Sequence, residues 1–176
     1  MTACVVDTNV VLVANLAHAD VSPECVIECT KRLNDLMANG TVVIDDGYRI
    51  LAEYLKKTTP RKAKGVGDLF VKWVQRNLSQ SERVHVVPLT ELAPQRFVEF
   101  PDATIEEAFD PNDRKFAAVS HSHPEKPPVW QAADCKWVDW WPALHACGIR
   151  VDFLCGEDVC RFYARKFPDR LDPTLP

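Results

Sequence analysis

Short apolar, β-favouring runs that alternate with helix-like segments constrain this chain most. Three of the runs stop at an aspartate, namely Asp7, Asp45 and Asp134. Strands that alternate with helices build βαβ units, and hence a parallel sheet covered by helices on both faces. We therefore predict a three-layer α/β/α sandwich with a central parallel sheet of about five strands. The predicted strands are residues 3–6, 41–44, 84–89, 129–133 and 149–154.

The length of 176 residues predicts one domain, with a core at about residues 3–155 and a C-terminal helix and tail at 156–176. Hydrophobic residues make up 47% and charged residues 26%, proportions typical of a globular domain. No apolar run reaches the ~18 residues of a membrane span. The first four residues lack the basic flank and apolar core of a signal peptide. We expect a cytoplasmic protein without a membrane partner.

The seven cysteines include no CxxC pair, and several lie in segments with apolar patterning. Free cysteine in such places behaves as a small hydrophobic residue. A chain of this length buries enough surface to fold without disulfides or a structural metal. We therefore predict that the cysteines are thiols of the core.

Acidic residues follow the predicted strands in a way that brings them to one edge of the sheet. Asp7 ends the first strand and Asp134 the fourth, while Glu53 lies early in the helix after the second strand. Asp110 and Asp113 begin the helix after the third strand. Functional groups of open α/β sheets collect at the carboxyl ends of the strands. Carboxylates gathered there repel one another unless a cation holds them.

Each of these acids also has a structural explanation. Asp7 and Asp134 can cap the helices that follow them, and Asp110 with Asp113 resembles a shortened capping box. Glu53 lies about 60° outside the apolar stripe of its helix, as a solvated residue does. Asp113 shares a face with Phe116 and Ala117, where an acid without a partner is costly. These explanations do not account for the common location.

The residue types favour a hard divalent cation. Mg²⁺ and Mn²⁺ prefer carboxylate oxygens and retain waters, and two such ions can cleave a phosphodiester. His121 and His123 raise the alternative of zinc, but two histidines at i and i+2 without a third ligand are a weak signal.

A basic segment at residues 56–64 stands out in a chain of net charge −4. It carries five basic residues and no acid, directly after Glu53. Such a patch attracts phosphate, although a solvated loop also has this composition. Arg61, Lys62 and Lys64 are therefore candidate nucleic-acid contacts.

The ordered pieces resemble the PIN-domain nucleases. The matching pieces are VVDTNVVL at 5–12, the acid in RILAEYLK, DPNDRKFAAVS at 110–120, QAADCKWVDW at 131–140 and the terminal CGIRVDFL. The resemblance implies that Asp7, Glu53, Asp113 and Asp134, the acidic quartet, bind Mg²⁺ or Mn²⁺. It also implies that Asn9 supports the first aspartate and that the activity is metal-dependent cleavage of RNA.

The resemblance further implies a role as the toxin of a toxin–antitoxin pair, with an antitoxin partner and a homodimer. The chain departs from the family pattern in two ways. Ala132 stands where a serine or threonine is common, so that Asp139 could share or replace the role of Asp134. The segments 90–109 and 121–128 are longer than in compact toxins.

Two other hypotheses stay open at this point. The chain could keep the fold as a nucleic-acid-binding or regulatory module without turnover. A haloacid-dehalogenase-like phosphotransferase also places an aspartate after its first strand, but its motif needs a second aspartate two residues later, where this chain has Asn9.

Overall fold

The computed structural model describes residues 3–176, so the part of the signal-peptide expectation that concerns residues 1 and 2 lies outside it. In the described part the strands are β1 (Ala3–Val6), β2 (Thr41–Asp45), β3 (Val84–Val87), β4 (Glu91–Ala93), β5 (Arg96–Phe97), β6 (Val129–Gln131) and β7 (Val151–Phe153). The helices are α1 (Thr8–Ala14), α2 (Pro23–Asn39), α3 (Arg49–Lys57), α4 (Val66–Asn77), α5 (Ala103–Glu106), α6 (Arg114–Ser122), α7 (Trp137–Ala146) and α8 (Gly156–Lys166).

Five of these strands form a parallel sheet in the order β3-β2-β1-β6-β7. The central strand β1 buries Cys4, Val5 and Val6 completely, as a strand covered on both faces must. The helices flank this sheet, and the predicted α/β fold with a central parallel sheet is confirmed.

Local signals set the helix limits where capping is strong. Ser22 accepts a hydrogen bond from the backbone N–H of Cys25 at 3.1 Å, Pro23 opens α2 and Gly40 follows its last residue. Asp68, a residue type that often caps helices, does not cap α4, because the helix already begins at Val66. Asp68 is instead buried and bonded to other segments.

The segment 90–109, in which the sequence indicates no regular element, contains a short antiparallel hairpin of β4 and β5 followed by α5. Arg49 attaches the hairpin to the sheet, since its guanidinium bonds both Asp45 (3.2 Å) and Glu91 (3.0 Å). The hairpin thus packs beside the helix that carries Glu53.

The prediction that all cysteines are core thiols is wrong for two of them. Cys25 in α2 and Cys155 before α8 form a disulfide, although 130 residues separate them. Cys4, Cys29 and Cys135 are buried free thiols, as predicted.

Among residues 3–176, no helix combines the length and the apolar character that crossing a membrane requires.

Candidate metal-binding site

The sheet reverses its strand order at β1. From β1 the chain adds β2 and β3 on one side and later adds β6 and β7 on the other. In open α/β sheets such a reversal leaves a crevice at the carboxyl ends of the two central strands, where ligands bind. Asp7 follows β1 and Asp134 follows β6, so both stand at this crevice.

Asp7 is held by the turn that starts α1. One of its carboxylate oxygens accepts a hydrogen bond from the backbone N–H of Asn9 at 2.7 Å, and the residue is only 5% exposed. The side-chain oxygen of Asn9 accepts a bond from the backbone N–H of Ala133 at 2.8 Å. Asn9 therefore ties the loop after β1 to the loop after β6, next to both aspartates. Asp7 is a helix cap as well as a site residue, so these two explanations do not exclude each other.

Asp113 occupies the position before α6 but makes no capping bond there. Asp110 instead accepts the backbone N–H of Asn112 at 3.1 Å. The reciprocal capping box suggested by the sequence does not form, which leaves the Asp113 carboxylate for the crevice.

Glu53 lies on α3, on the side of the crevice next to the hairpin. Its carboxylate pairs with Lys115 of α6, with 2.6 Å between Oε2 and Nζ. Lys115 is 7% exposed and also donates to the backbone carbonyl of Asn112. Glu53 is thus a partnered residue at the rim rather than a solvated one.

Asp134 and Asp139 have different surroundings. Asp134 accepts the backbone N–H of Lys136 at 3.0 Å and faces the crevice. Asp139 accepts a bond from the hydroxyl of Tyr163 (2.7 Å) and another from Arg170 (2.9 Å). The structure therefore places Asp139 in a contact with the C-terminal segment and not beside the other acids.

The crevice opens into a cleft of about 440 Å³ that contains both acids and lysines. Its lining residues are Ala52, Glu53, Lys56, Lys57, Asp110, Asn112, Asp113, Asp134 and Lys136. Three members of the acidic quartet thus line one cleft. Asp7 is buried close enough to them that their charges raise its pKa.

Burial and neighbouring charges raise the pKa values of Asp7 and Asp113. Burial raises the pKa of Asp113 to about 7, with further contributions from the charges of Asp134 and Asp110. Burial likewise raises the pKa of Asp7 well above its usual range, and the Asp113 carboxylate adds to this effect. Without a cation these two side chains keep their protons to a higher pH than an isolated aspartate does, since burial and neighbouring negative charges both disfavour the ionised form.

These residues fit a hard cation by their chemistry, but with open spacing. Three side chains that bind one ion directly need their ligand atoms close together. Within residues 3–176, three cysteines are the only such group of acidic, histidine or cysteine side chains whose ligand atoms all lie within 4.8 Å of one another. The acidic quartet is therefore not closed around one point. Mg²⁺ and Mn²⁺ keep several waters and take one or two carboxylates directly, so oxygen donors spread around a cleft suit them. When ionised, the buried Asp7 and the partly buried Asp113 and Asp134 supply the negative charge that such an ion requires.

The lysines are the residues that sequence reasoning missed. Lys115 pairs with Glu53, and Lys136 pairs with Asp110 at 2.6 Å. Both lysines follow a quartet aspartate at i+2, in Asp113-Arg114-Lys115 and Asp134-Cys135-Lys136. That repeated spacing was the available signal. It places Lys136 in the acidic cleft and Lys115 next to it, against Glu53.

The basic segment (residues 56–64) continues from this cleft. Lys56 and Lys57 line the cleft, whereas Arg61, Lys62 and Lys64 are exposed on the loop that follows α3. The buried carboxylate of Asp68 holds the loop by accepting the backbone N–H groups of Thr59 and Lys64, each at 3.0 Å. The three candidate nucleic-acid contacts therefore stand on a fixed loop next to the cleft.

The two histidines of the zinc alternative have separate partners. His121 bonds the backbone carbonyl of Glu99 at 3.0 Å, and His123 bonds the ring of His85 at 3.0 Å. The structure does not bring them together as ligands of one ion.

Comparison of the chain with family models, with curated proteins and with solved structures gives no match in any of the three.

Proposed function

We propose that this chain is a Mg²⁺- or Mn²⁺-dependent ribonuclease that hydrolyses phosphodiester bonds in the cleft at the end of β1. One observation carries the proposal: three of the quartet acids, from three separate segments, line one cleft at the switch point of the sheet, and Asp7 lies buried beside it with a raised pKa. Burying carboxylates together is costly, and a cation offsets that cost. The PIN-domain resemblance of the sequence agrees with this arrangement.

Asp7, Asp113 and Asp134 are the ligands that we propose for the ion. These residues would hold a divalent ion, which would supply Lewis-acid chemistry and lower the pKa of a water toward neutrality. Asn9 keeps the first and last of these aspartates in register through its bond to Ala133. Glu53, the fourth quartet residue, would join them only if it left its ion pair with Lys115.

The cations of the cleft favour a phosphate backbone as substrate. Lys56, Lys57 and Lys136 line the cleft with the acids, and Arg61, Lys62 and Lys64 extend the positive charge along the loop. A polyanion can thus approach an acidic site in a protein of net charge −4. The family resemblance adds three narrower proposals: a cytoplasmic toxin, an antitoxin partner and a homodimer.

The direct test incubates the purified chain with single-stranded and structured RNA in millimolar Mn²⁺ or Mg²⁺. We expect cleavage that stops with a chelator and that Asp7→Asn and Asp113→Asn abolish, with RNA affinity equal or slightly tighter. Asp139→Asn is the matched control, because Asp139 is an acid outside the cleft. Equal cleavage by the parent and the two quartet variants would contradict the proposal.

A nucleic-acid-binding module without turnover is the second candidate. The pairing of Lys115 with Glu53 favours it, since a fixed ammonium already neutralises one of the four acids. In that case Arg61, Lys62 and Lys64 contribute to RNA binding, but no metal produces cleavage. Binding without cleavage in the test above would select this function.

A further inference from the structure

Three buried cysteine sulfurs meet where the start of α2 packs against the start of α8. Cys25 and Cys29 lie at i and i+4 on α2 and share a face, while Cys155 is the residue before α8. Cys25 and Cys155 are bonded, and the Sγ of Cys29 lies 3.7 Å from the Sγ of Cys155. We call these three residues the cysteine cluster. A crosslink needs two of them, so Cys29 is a third sulfur that lies directly beside the disulfide.

The distances suit three bonds to a single ion. All three sulfur atoms lie within 4.8 Å of one another. Two sulfurs that each bind one ion at ~2.3 Å are at most ~4.6 Å apart, and the 3.7 Å between Cys29 and Cys155 falls inside that limit. Reduction of the disulfide gives three free ligands on one centre without a large movement of either helix.

Burial decides which ion fits. The cysteine cluster is at most 5% exposed, so charge left on a complex there is costly. Three thiolates leave a net charge of −2 with a monovalent ion and −1 with a divalent ion, but none with a trivalent ion. Structural zinc sites also use four protein ligands, whereas this cluster has three.

We propose that the reduced cysteine cluster is a binding site for a trivalent thiophilic ion of the arsenite class, held by three sulfur bonds. The proposal is independent of the ribonuclease function, because it uses other residues. Cellular dithiols first reduce the Cys25–Cys155 bond: the dithiol gives up two electrons and two protons, and becomes a disulfide itself.

Binding then exchanges bonds without a change of oxidation state. Three arsenic–oxygen bonds of arsenous acid break and three arsenic–sulfur bonds form, while each thiol proton leaves with a hydroxide as water. Burial raises the pKa of Cys29 to about 12, which disfavours a free thiolate. That pKa is no obstacle here, since the net exchange releases water and no protons. Zinc or cadmium would have to displace the protons into solution.

The test adds arsenite to the full chain in its reduced form and, separately, in its disulfide form, and records intact-protein mass spectra under native conditions. We expect the reduced chain to gain one arsenic atom and lose three hydrogens, and the disulfide form to gain none. Binding of the reduced chain should change little between about pH 6 and pH 8. A loss of only two hydrogens, which means two sulfur bonds, would overturn the proposal. The absence of an arsenic adduct would also overturn it, and neither result requires a variant protein.

Variants then identify the third ligand. Cys29→Ser should weaken arsenite binding at least tenfold, whereas Cys147→Ser and Cys160→Ser, which alter thiols outside the cysteine cluster, should leave it unchanged. Competition with Zn²⁺ and Cd²⁺ checks the charge of the ion. Displacement of arsenite by equimolar Zn²⁺ or Cd²⁺, or unchanged binding by Cys29→Ser, would overturn the assignment of a trivalent three-sulfur site.

Discussion

Lys115 holds Glu53 in an ion pair of 2.6 Å at the mouth of the acidic cleft. The lysine is almost fully buried, and its ammonium also lies 4.5 Å from the ring centre of Phe116. A quarter of the Glu53 side chain remains exposed. The pair therefore supplies a built-in cation to a group of carboxylates that otherwise repel, and a metal ion that uses Glu53 has to compete with it.

Replacing this lysine by an uncharged side chain of similar length separates the two effects. We expect Lys115→Met to destabilise the metal-free protein by ~1–2 kcal/mol, less than the ~3–5 kcal/mol of a fully buried pair because Glu53 is partly exposed. We also expect tighter Mn²⁺ binding, since Glu53 becomes available. Calorimetric titration with Mn²⁺ and melting curves measure both effects. Lys31→Met, on the exposed face of α2, is the control, and equal Mn²⁺ affinity in all three proteins would contradict the expectation.

The raised pKa of Asp113 predicts how the metal-free protein responds to pH. Its folded pKa of about 7 exceeds the unfolded value near 3.8, so the native state binds more protons between these values. The resulting stability is present below pH ~4 and is lost as the pH rises through 7. We expect the melting temperature in chelator to fall from pH 5 to pH 8, with a flatter profile in Asp113→Asn.

Asp110 provides the contrast for that experiment. The hydrogen bond from Lys136 is the largest cause that holds the pKa of Asp110 below its usual range. The stability that the ionised Asp110 gives to the folded state is therefore present near neutral pH and is lost on acidification. Asp110→Asn should leave the decline in stability between pH 5 and pH 8 in place and make it only slightly shallower, because the Asp110 charge adds to the raised pKa of Asp113. A flattening equal to that of Asp113→Asn would contradict this account.

The parts of the fold that were predicted from sequence depend on local signals. The strand β1 is a β-branched run that stops at Asp7. The helix α2 begins after Ser22 with Pro23 and ends before Gly40. In both cases neighbouring residues alone define the limits of the element. The hairpin of β4 and β5 has no such pattern, because β4 is exposed along its whole length and takes its position from Arg49. Its strands could not be predicted from hydrophobic alternation.

The candidate site likewise has a part that sequence predicts and a part that it does not. The topology alone indicates that acids after parallel strands share an edge, and Glu53, Asp110, Asp113 and Asp134 do line one cleft there. The choice of the quartet among the acids of that edge depends on the family resemblance. Partners that come from another element could not be chosen in this way. Lys115 reaches Glu53 across 62 positions of sequence, and Cys155 reaches Cys25 across 130, so neither contact has a local signature.

The surroundings of Asp134 and Asp139 predict different roles in metal binding. We expect Asp134→Asn to reduce the stabilisation that millimolar Mn²⁺ gives, because a ligand that favours the folded state is lost. Asp139→Asn should leave that stabilisation intact and lower the melting temperature by a few degrees, since Tyr163 and Arg170 lose their acceptor. Melting curves with and without Mn²⁺ compare the two. A loss of the Mn²⁺ stabilisation in Asp139→Asn would show that Asp139 takes part in metal binding and would contradict the choice of Asp134 alone.

Asp68 predicts that the basic segment depends on a buried acceptor. Burial favours its protonated form, but the bonds from Thr59, Lys64 and Asn15 outweigh this and lower its pKa. Asp68→Ala leaves these donors without a partner, so we expect a loss of ~3 kcal/mol and faster hydrogen exchange at residues 59–64. Asp35→Ala, on the exposed face of α2, is the control. Unchanged exchange in the loop would contradict an anchoring role.

The exposed charges of that loop predict the salt dependence of RNA binding. Neutralising Arg61, Lys62 and Lys64 to serine removes three cations without touching Asp68 or the acidic cleft. If each contacts one phosphate, the slope of log affinity against log salt becomes shallower by about 2 units, at ~0.7 for each contact with a single strand.

Stability should stay within ~0.5 kcal/mol of the parent, as for other surface changes. Cleavage, where present, should return at high RNA concentration, because the loop binds substrate and the acids do the chemistry. Filter-binding at several salt concentrations measures the slope, and an unchanged slope would show that the phosphate contacts lie elsewhere on the protein.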